Sequence, residues 1–205
     1  MIGIVDYGVG NLFSLQSSLR AVGGEAVVSG DPDTLAHADK LLLPGVGAFG
    51  DAAAKLRTSG LSQMVLEAAQ KGTPLLGICL GMQLLFDKSY EYGEHPGLGL
   101  IPGSVTPLEG RIPAELKIPH IGWNALLFPE GRPRSPLFRA LREGDHVYFV
   151  HSFSAVDCEA SVSARTEYGA LLTAAVERDN VFGCQFHPEK SGPVGLNILK
   201  AFCTL

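Results

Sequence analysis

The chain reads as an α/β protein: an open, mostly parallel sheet flanked by helices, with antiparallel strands added toward the C-terminus. Three observations predict this. Short apolar runs alternate with helical stretches over the first two-thirds of the chain, the pattern of a parallel sheet covered on both faces. The segment Gly77-Ile78-Cys79-Leu80-Gly81 stands between one such run and a helical stretch, which is the setting of a nucleophile elbow. From Val147 onward short apolar segments recur, as antiparallel strands joined by turns do.

The elements follow in order. Ile2 to Val5 is a strand of the fully buried type. Asn11 is placed to cap a helix that carries Leu12, Leu15, Leu19 and Val22 on one face and stops at Gly23-Gly24. Ala26 to Val28 and Lys40 to Leu43 are strands, Leu61 to Gln70 is a helix, and Leu75 to Ile78 is the strand feeding the elbow. Gly81 to Phe86 reads as the helix that follows it. From Asp87 to Arg134 glycine and proline break any period, so loops and short hairpins are expected. Val147 to Val150, Leu171 to Val176 and Val181 to Phe186 are read as antiparallel additions to the sheet. Pro193 to Phe202 is a last helix with Leu196, Leu199 and Phe202 at core spacing.

Composition sets the bounds. With 205 residues, 46% hydrophobic and 18% charged, the chain is long enough for one well-buried domain spanning 1–205 and too short for two ordinary ones. The net charge of −5 comes with no lysine or arginine cluster, which argues against a nucleic-acid partner. No apolar run approaches the roughly 20 residues of a membrane helix, and Met1 to Asp6 has no basic segment leading a long apolar one. Cys79, Cys158, Cys184 and Cys203 form no close pair; that spacing suits reduced thiols and a cytoplasmic setting. No metal or other cofactor is expected: no two Cys or His stand at ligand spacing, and the loop Pro44-Gly45-Val46-Gly47 lacks the lysine of a phosphate loop.

The chemistry concentrates in two places. Glycines two residues either side of Cys79 permit the sharp turn that lifts a nucleophile clear of the sheet, and a helix N-terminus favours a thiolate through its peptide dipoles. A cysteine there can also be a buried core residue. His187 closes a strand, and Pro188 biases it toward extended backbone, so Glu189 two residues on can share its face. Nucleophile, base and orienting carboxylate make a triad. Gly45, Val46 and Gly47 follow a strand end and can bring backbone amides to the same place as the Leu80 amide, forming an oxyanion hole. Strand alternation turns Cys184 away from His187 and into the core. His151 also ends an apolar strand and can serve the cleft or the scaffold. Trp123, the single tryptophan, is either core filler or an exposed anchor.

These segments resemble the class I (triad) glutamine amidotransferases over essentially the whole chain. The likeness rests on Gly77-Ile78-Cys79-Leu80-Gly81-Met82-Gln83 with His187-Pro188-Glu189, the opening Asp6-Tyr7-Gly8-Val9-Gly10-Asn11-Leu12, Leu43-Pro44-Gly45-Val46-Gly47-Ala48-Phe49, His120-Ile121-Gly122-Trp123-Asn124, and Gln185 to Ser191. The opening and the Gly-Trp-Asn segment resemble the branch of that family serving histidine biosynthesis. The resemblance implies a flavodoxin-like sheet and hydrolysis of glutamine through a thioester on Cys79, with His187 as base and Glu189 orienting it. It implies Gly45, Val46, Gly47 and Leu80 at the oxyanion, and Gln83, Ser152 and Phe153 at the substrate. It further implies that ammonia passes to a separate cyclase subunit of TIM-barrel type in a heterodimer, with Asn11, Trp123 and Lys190 near the docking face. Glutaminases serving pyridoxal phosphate or anthranilate synthesis, and cysteine hydrolases or peptidases of the same fold, are the alternatives.

Overall fold

The computed structural model describes residues 1–205. The first half alternates as expected: β1 (Ile2–Val5), α1 (Leu12–Ala21), β2 (Ala26–Ser29), α2 (Pro32–Ala36), β3 (Lys40–Leu43), α3 (Phe49–Thr58), α4 (Leu61–Gln70), β4 (Leu75–Ile78) and α5 (Leu80–Leu84). The second half is mostly strand. It runs through β5 (Phe86–Ser89), β6 (His95–Pro96), β7 (Ile101–Pro107), β8 (His120–Ala125), β9 (His146–His151), β10 (Phe153–Val156), β11 (Val162–Glu167), β12 (Leu171–Arg178) and β13 (Val181–Cys184) to α6 (Gly192–Cys203).

Local chemistry fixes the ends of α1. The Asn11 side chain accepts from the Ser14 N–H at 3.3 Å. At the other end Gly23 takes a left-handed φ of 82°, while the Gly23 and Gly24 amides donate to the Arg20 and Leu19 carbonyls, a Schellman stop.

Seven strands form the main sheet in the order β11-β12-β13-β4-β3-β1-β2. Strands β13, β4, β3, β1 and β2 are mutually parallel, and β12 and β11 continue antiparallel. Side chains alternate across it. Leu41, Leu43 and Leu75 pack with α2, α3 and α4 on one face; Leu42, Leu76 and Ile78 pack with α1 and α6 on the other. Each fully buried leucine is worth about 2 kcal/mol. A second sheet, β10-β7-β5-β6, joins the first face through Ile101 and Val105, and β8 with β9 make a separate ribbon.

Four expectations are corrected. Residues 87–134 are not merely loops: β5 and β7 pair in parallel within the second sheet, a long-range pairing that a hairpin reading misses. Val147 to Val150 lies in the β8–β9 ribbon, outside the main sheet. Val181 to Cys184 is antiparallel to β12 yet parallel to β4, so it completes the parallel sheet rather than fringing it. The helix after the elbow stops at Leu84, and Phe86 opens β5. Helices α2 and α3 were not expected. Asp31 caps α2 by accepting from Asp33 and Thr34, with Pro32 at its start, and α3 buries a face of Phe49, Ala52, Ala53 and Leu56, too alanine-rich to stand out.

At the centre of the parallel strands the backbone is crowded. A Cβ on Gly81 would lie 1.8 Å from the Leu43 carbonyl oxygen, and one on Gly77 would lie 2.6 Å from the Gly81 oxygen. Gly45 meets the Gly81 nitrogen at 2.8 Å in the same way. Gly81→Ala therefore forces β3 and α5 apart, and urea denaturation is expected to show a loss of about 3 kcal/mol or more. An unchanged midpoint would mean that the elbow has slack the packing does not display.

Candidate active site

The crowded turn presents Cys79. Its backbone stands at φ 55°, ψ −110°, a region costly for a residue with a side chain, by about 1–3 kcal/mol. The sheet holds it there: the Cys79 N–H donates to the Cys184 carbonyl at 2.7 Å, and the Cys79 carbonyl accepts from Gln83 at 3.2 Å. The side chain is 7% exposed, at the carboxyl end of the parallel strands where α/β sites form.

His187 arrives from β13. Its N–H donates to the Tyr148 carbonyl at 3.0 Å, and Ser191 Oγ donates to its carbonyl at 2.6 Å while accepting from the Tyr148 N–H at 3.0 Å. The sequence suggested an extended segment aligning His187 with Glu189. The chain instead makes a short 3₁₀ turn, Pro188–Lys190, and the turn brings the carboxylate back beneath the ring. His187 Nδ1 donates to Glu189 Oε1 at 2.7 Å. Of the four ion pairs in the chain this is the buried one, with both side chains 4% exposed. Glu189 Oε2 has no hydrogen-bond partner, so the imidazole is the one group the carboxylate bonds. Burial opposes a charge on His187, but the neighbouring Cys79 and the hydrogen-bonded Glu189 outweigh it and hold the ring up at about 9.

Cys79 and His187 line a cleft of about 360 Å³ together with Val46, Gly47, Leu80, Gln83, Val150, His151, Ser152, Phe153 and Lys190. Gly45 stands behind its wall, against the elbow, so its contribution is packing that brings the loop close. Val46 and Gly47 lie outside helices and strands, and their amides make no backbone hydrogen bond. The Leu80 amide, first in α5, precedes the first intrahelical bond. Three residues lining the cleft thus have amides without backbone partners. Burial and the neighbouring Cys79 raise Tyr7 above the ordinary phenol range, and its hydroxyl donates to the Pro44 carbonyl at 2.7 Å, fixing that loop. Cys184 is fully buried, and burial followed by the Glu189 charge pushes its thiol up, which leaves it inert.

Asn11 and Trp123 lie outside the cleft. Asn11 is exposed at the start of α1. Trp123 is 52% exposed on β8, which removes the core-filler reading, and packs edge-on to Tyr148, whose ring lies 5.9 Å from Lys190 Nζ. Sequence reasoning missed Glu91, Tyr92 and Pro119, which also line the cleft from the irregular middle of the chain. It left His151 undecided and passed over His120. His151 Nδ1 donates to the Phe153 carbonyl at 2.7 Å, and its Nε2 is 3.0 Å from His120 Nδ1. Burial holds His151 down at about 4, hence neutral. The two belong to facing strands, and no local motif announces such a pair. No group of three or more His, Cys, Asp or Glu is placed to hold a metal ion, and no helix is long and apolar enough to cross a membrane.

Comparison with known proteins fits this geometry. The family model for glutamine amidotransferase class-I matches residues 4–204. The chain belongs to that family of glutamine-hydrolysing enzymes. It is 51% identical over 207 residues to "Imidazole glycerol phosphate synthase subunit HisH" of Wolinella succinogenes, covering 100% of both chains. To the protein of the same name from Aquifex aeolicus it is 50% identical over 201 residues, 97% of this chain and 94% of that one. Among solved structures, PurLQS from Thermotoga maritima matches with a TM-score of 0.76 at 22% identity, covering 99% of this chain and 97% of that one, a likeness of fold.

The raised value of His187 has a consequence for stability. A group held above its ordinary 6.5 contributes fully below that pH and loses its contribution as pH rises through about 9. Removing the carboxylate removes its share of the elevation and leaves that of Cys79. Melting curves from pH 6 to 10 for the wild type and Glu189→Gln should differ most below pH 6.5 and converge above about 9; a constant offset would show that the pair is not coupled to folding.

Proposed function

We propose that this chain, folded as one domain over residues 1–205, is the glutaminase subunit of an imidazole glycerol phosphate synthase. On this reading Cys79, His187 and Glu189 hydrolyse glutamine, and the ammonia passes to a separate cyclase subunit of TIM-barrel type. The observation that carries the chemistry is the buried His187–Glu189 pair in the cleft that Cys79 also lines. The assignment to this synthase is supported by relatives of that name, half identical over their whole length.

The steps follow from the geometry. Gln83, Ser152 and Phe153 hold the substrate in the cleft. His187 Nε2, the nitrogen left free by Glu189, takes the Cys79 proton first, and Cys79 Sγ attacks the side-chain amide carbon as a thiolate. The negative oxygen that forms is met by the amides of Val46, Gly47 and Leu80, each such donor being worth about 3 kcal/mol of barrier. His187 then protonates the departing nitrogen, ammonia leaves, and a thioester remains. His187 next takes a proton from water, which cleaves the thioester to glutamate and restores the thiol.

Docking is proposed on the face that carries Trp123. Ile121 and Trp123 are exposed on β8, opposite Val150 and Tyr148 of β9, and Val150 reaches the cleft wall. Lys190 adjoins that face, its Nζ 5.9 Å from the Tyr148 ring, and Asn11 is exposed at the start of α1. An apolar face continuous with the cleft suits a partner that receives the product there. That partner would use the ammonia to make imidazole glycerol phosphate and an aminoimidazole carboxamide ribonucleotide.

Glutamate release should be weak for the chain alone, rise strongly with the cyclase and its nucleotide substrate, and vanish in Cys79→Ala. Activity indifferent to the cyclase would assign the chain to a different acceptor, such as those of pyridoxal phosphate or anthranilate synthesis. Trp123→Ala should leave the melting temperature unchanged and weaken cyclase binding by about 30-fold or more, as loss of an aromatic anchor does. Unaltered binding by titration calorimetry would move the interface elsewhere.

A further inference from the structure

We infer that the Gln185 side-chain amide is a hydrogen-bond donor to the Cys79 sulfur, stabilising it as a thiolate, and that its orientation is dictated from the Phe153 carbonyl through Gln83. The inference rests on the proposed role of Cys79 as nucleophile.

The direction of each bond follows from the one before. The Phe153 carbonyl can only accept. The Gln83 amide nitrogen lies 3.3 Å from it, so that side chain has its N–H₂ on this side. The other N–H of Gln83 meets the Gln185 amide at 3.0 Å. An oxygen must stand there, because a nitrogen would set two donors face to face. The Gln185 nitrogen is therefore the atom turned to Cys79, 3.8 Å from Sγ, within reach for the large, diffuse sulfur. Gln185 is fully buried, so the donor is held in place without competition from solvent.

The sulfur needs such a donor. Its other close polar neighbour on the sheet side is the Val150 carbonyl at 3.9 Å, which accepts from a thiol and repels a thiolate. When the proton moves from Sγ to His187 Nε2, the S–H bond breaks, an N–H bond forms, and the sulfur keeps the electron pair. Gln185 and the His187 ring then face the negative sulfur while Val150 opposes it. Tyr7, on which the Cys79 charge acts, spends its hydroxyl on Pro44 and has no proton to give. Glu91, His151 and Lys190 line the cleft beyond. Gln185 thus touches a reacting atom, and Gln83 positions it.

The test is the rate of Cys79 alkylation by iodoacetamide against pH, with Cys79→Ala as the blank for the other thiols. Gln185→Met keeps the length and removes the donor; Gln185→Glu keeps the shape and adds a negative charge. The midpoint is expected to move up by about one pH unit in the Met variant and further in the Glu variant, with melting temperatures reported alongside. Folded variants whose profiles overlay the wild type would overturn the proposal. Should both variants unfold, the wild-type chain labelled with ¹⁵N in its five glutamine side chains decides. A buried amide signal that shifts as Cys79 titrates supports the bond, and the absence of any such signal refutes it. Alkylation reads the thiolate whether or not glutamine is turned over. Glutamate release that survives Cys79→Ala would therefore sink the functional reading separately.

Discussion

Everything in this molecule is arranged around one strained turn. Cys79 holds a backbone conformation that its side chain disfavours, and it can do so because the neighbouring strands leave no alternative. Its amide is bonded to β13, the glycines on either side are pressed against β3 and α5, and Gly45 closes the gap from the next loop. The close approach of these segments sets the register of the central strands. It also leaves the thiol with a fixed exit direction, so the residues that meet it can come from distant parts of the chain.

They come from four. The Pro44 loop brings peptide amides, α5 brings Gln83, the β9–β10 corner brings His151 to Phe153, and the end of β13 brings Gln185 and His187. Hydrogen bonds between these parts make them one piece. Tyr148, His187 and Ser191 share three bonds, which ties the exposed ribbon bearing Trp123 to the backbone of His187. The Phe153 carbonyl accepts from both His151 and Gln83. Charge is treated differently from polarity. One buried ion pair, His187 with Glu189, carries the electrostatics, while the remaining buried polar groups near the sulfur are neutral amides and imidazoles.

How much of this the sequence displays depends on the range over which each feature is written. The elbow is written in five consecutive residues and the base with its carboxylate in three, so the meeting of Cys79, His187 and Glu189 at one strand end was legible, although the turn that joins the last two was not. The parallel strands announce themselves as apolar runs. The second sheet does not, because Gly97, Gly99 and Gly103 and the prolines among them interrupt the alternation that would reveal β5 and β7. Helix α3 hides behind alanines. His120 and His151 meet because β8 pairs with β9, and Gln83 meets Gln185 because α5 folds back against the end of β13, across 31 and 102 positions; no local spacing encodes them.

The pairing of β13 with β4 has a consequence for synthesis. Leu75 to Ile78 is wholly buried and apolar, and the strand that covers its free edge begins at Val181. A chain still growing on the ribosome holds β4 as a bare sheet edge, open to pairing with other chains. It also lacks His187 and Glu189, the partners proposed for Cys79. Residues 181–205 therefore both seal the sheet and complete the proposed site, so a truncated product is expected to be aggregation-prone and catalytically silent.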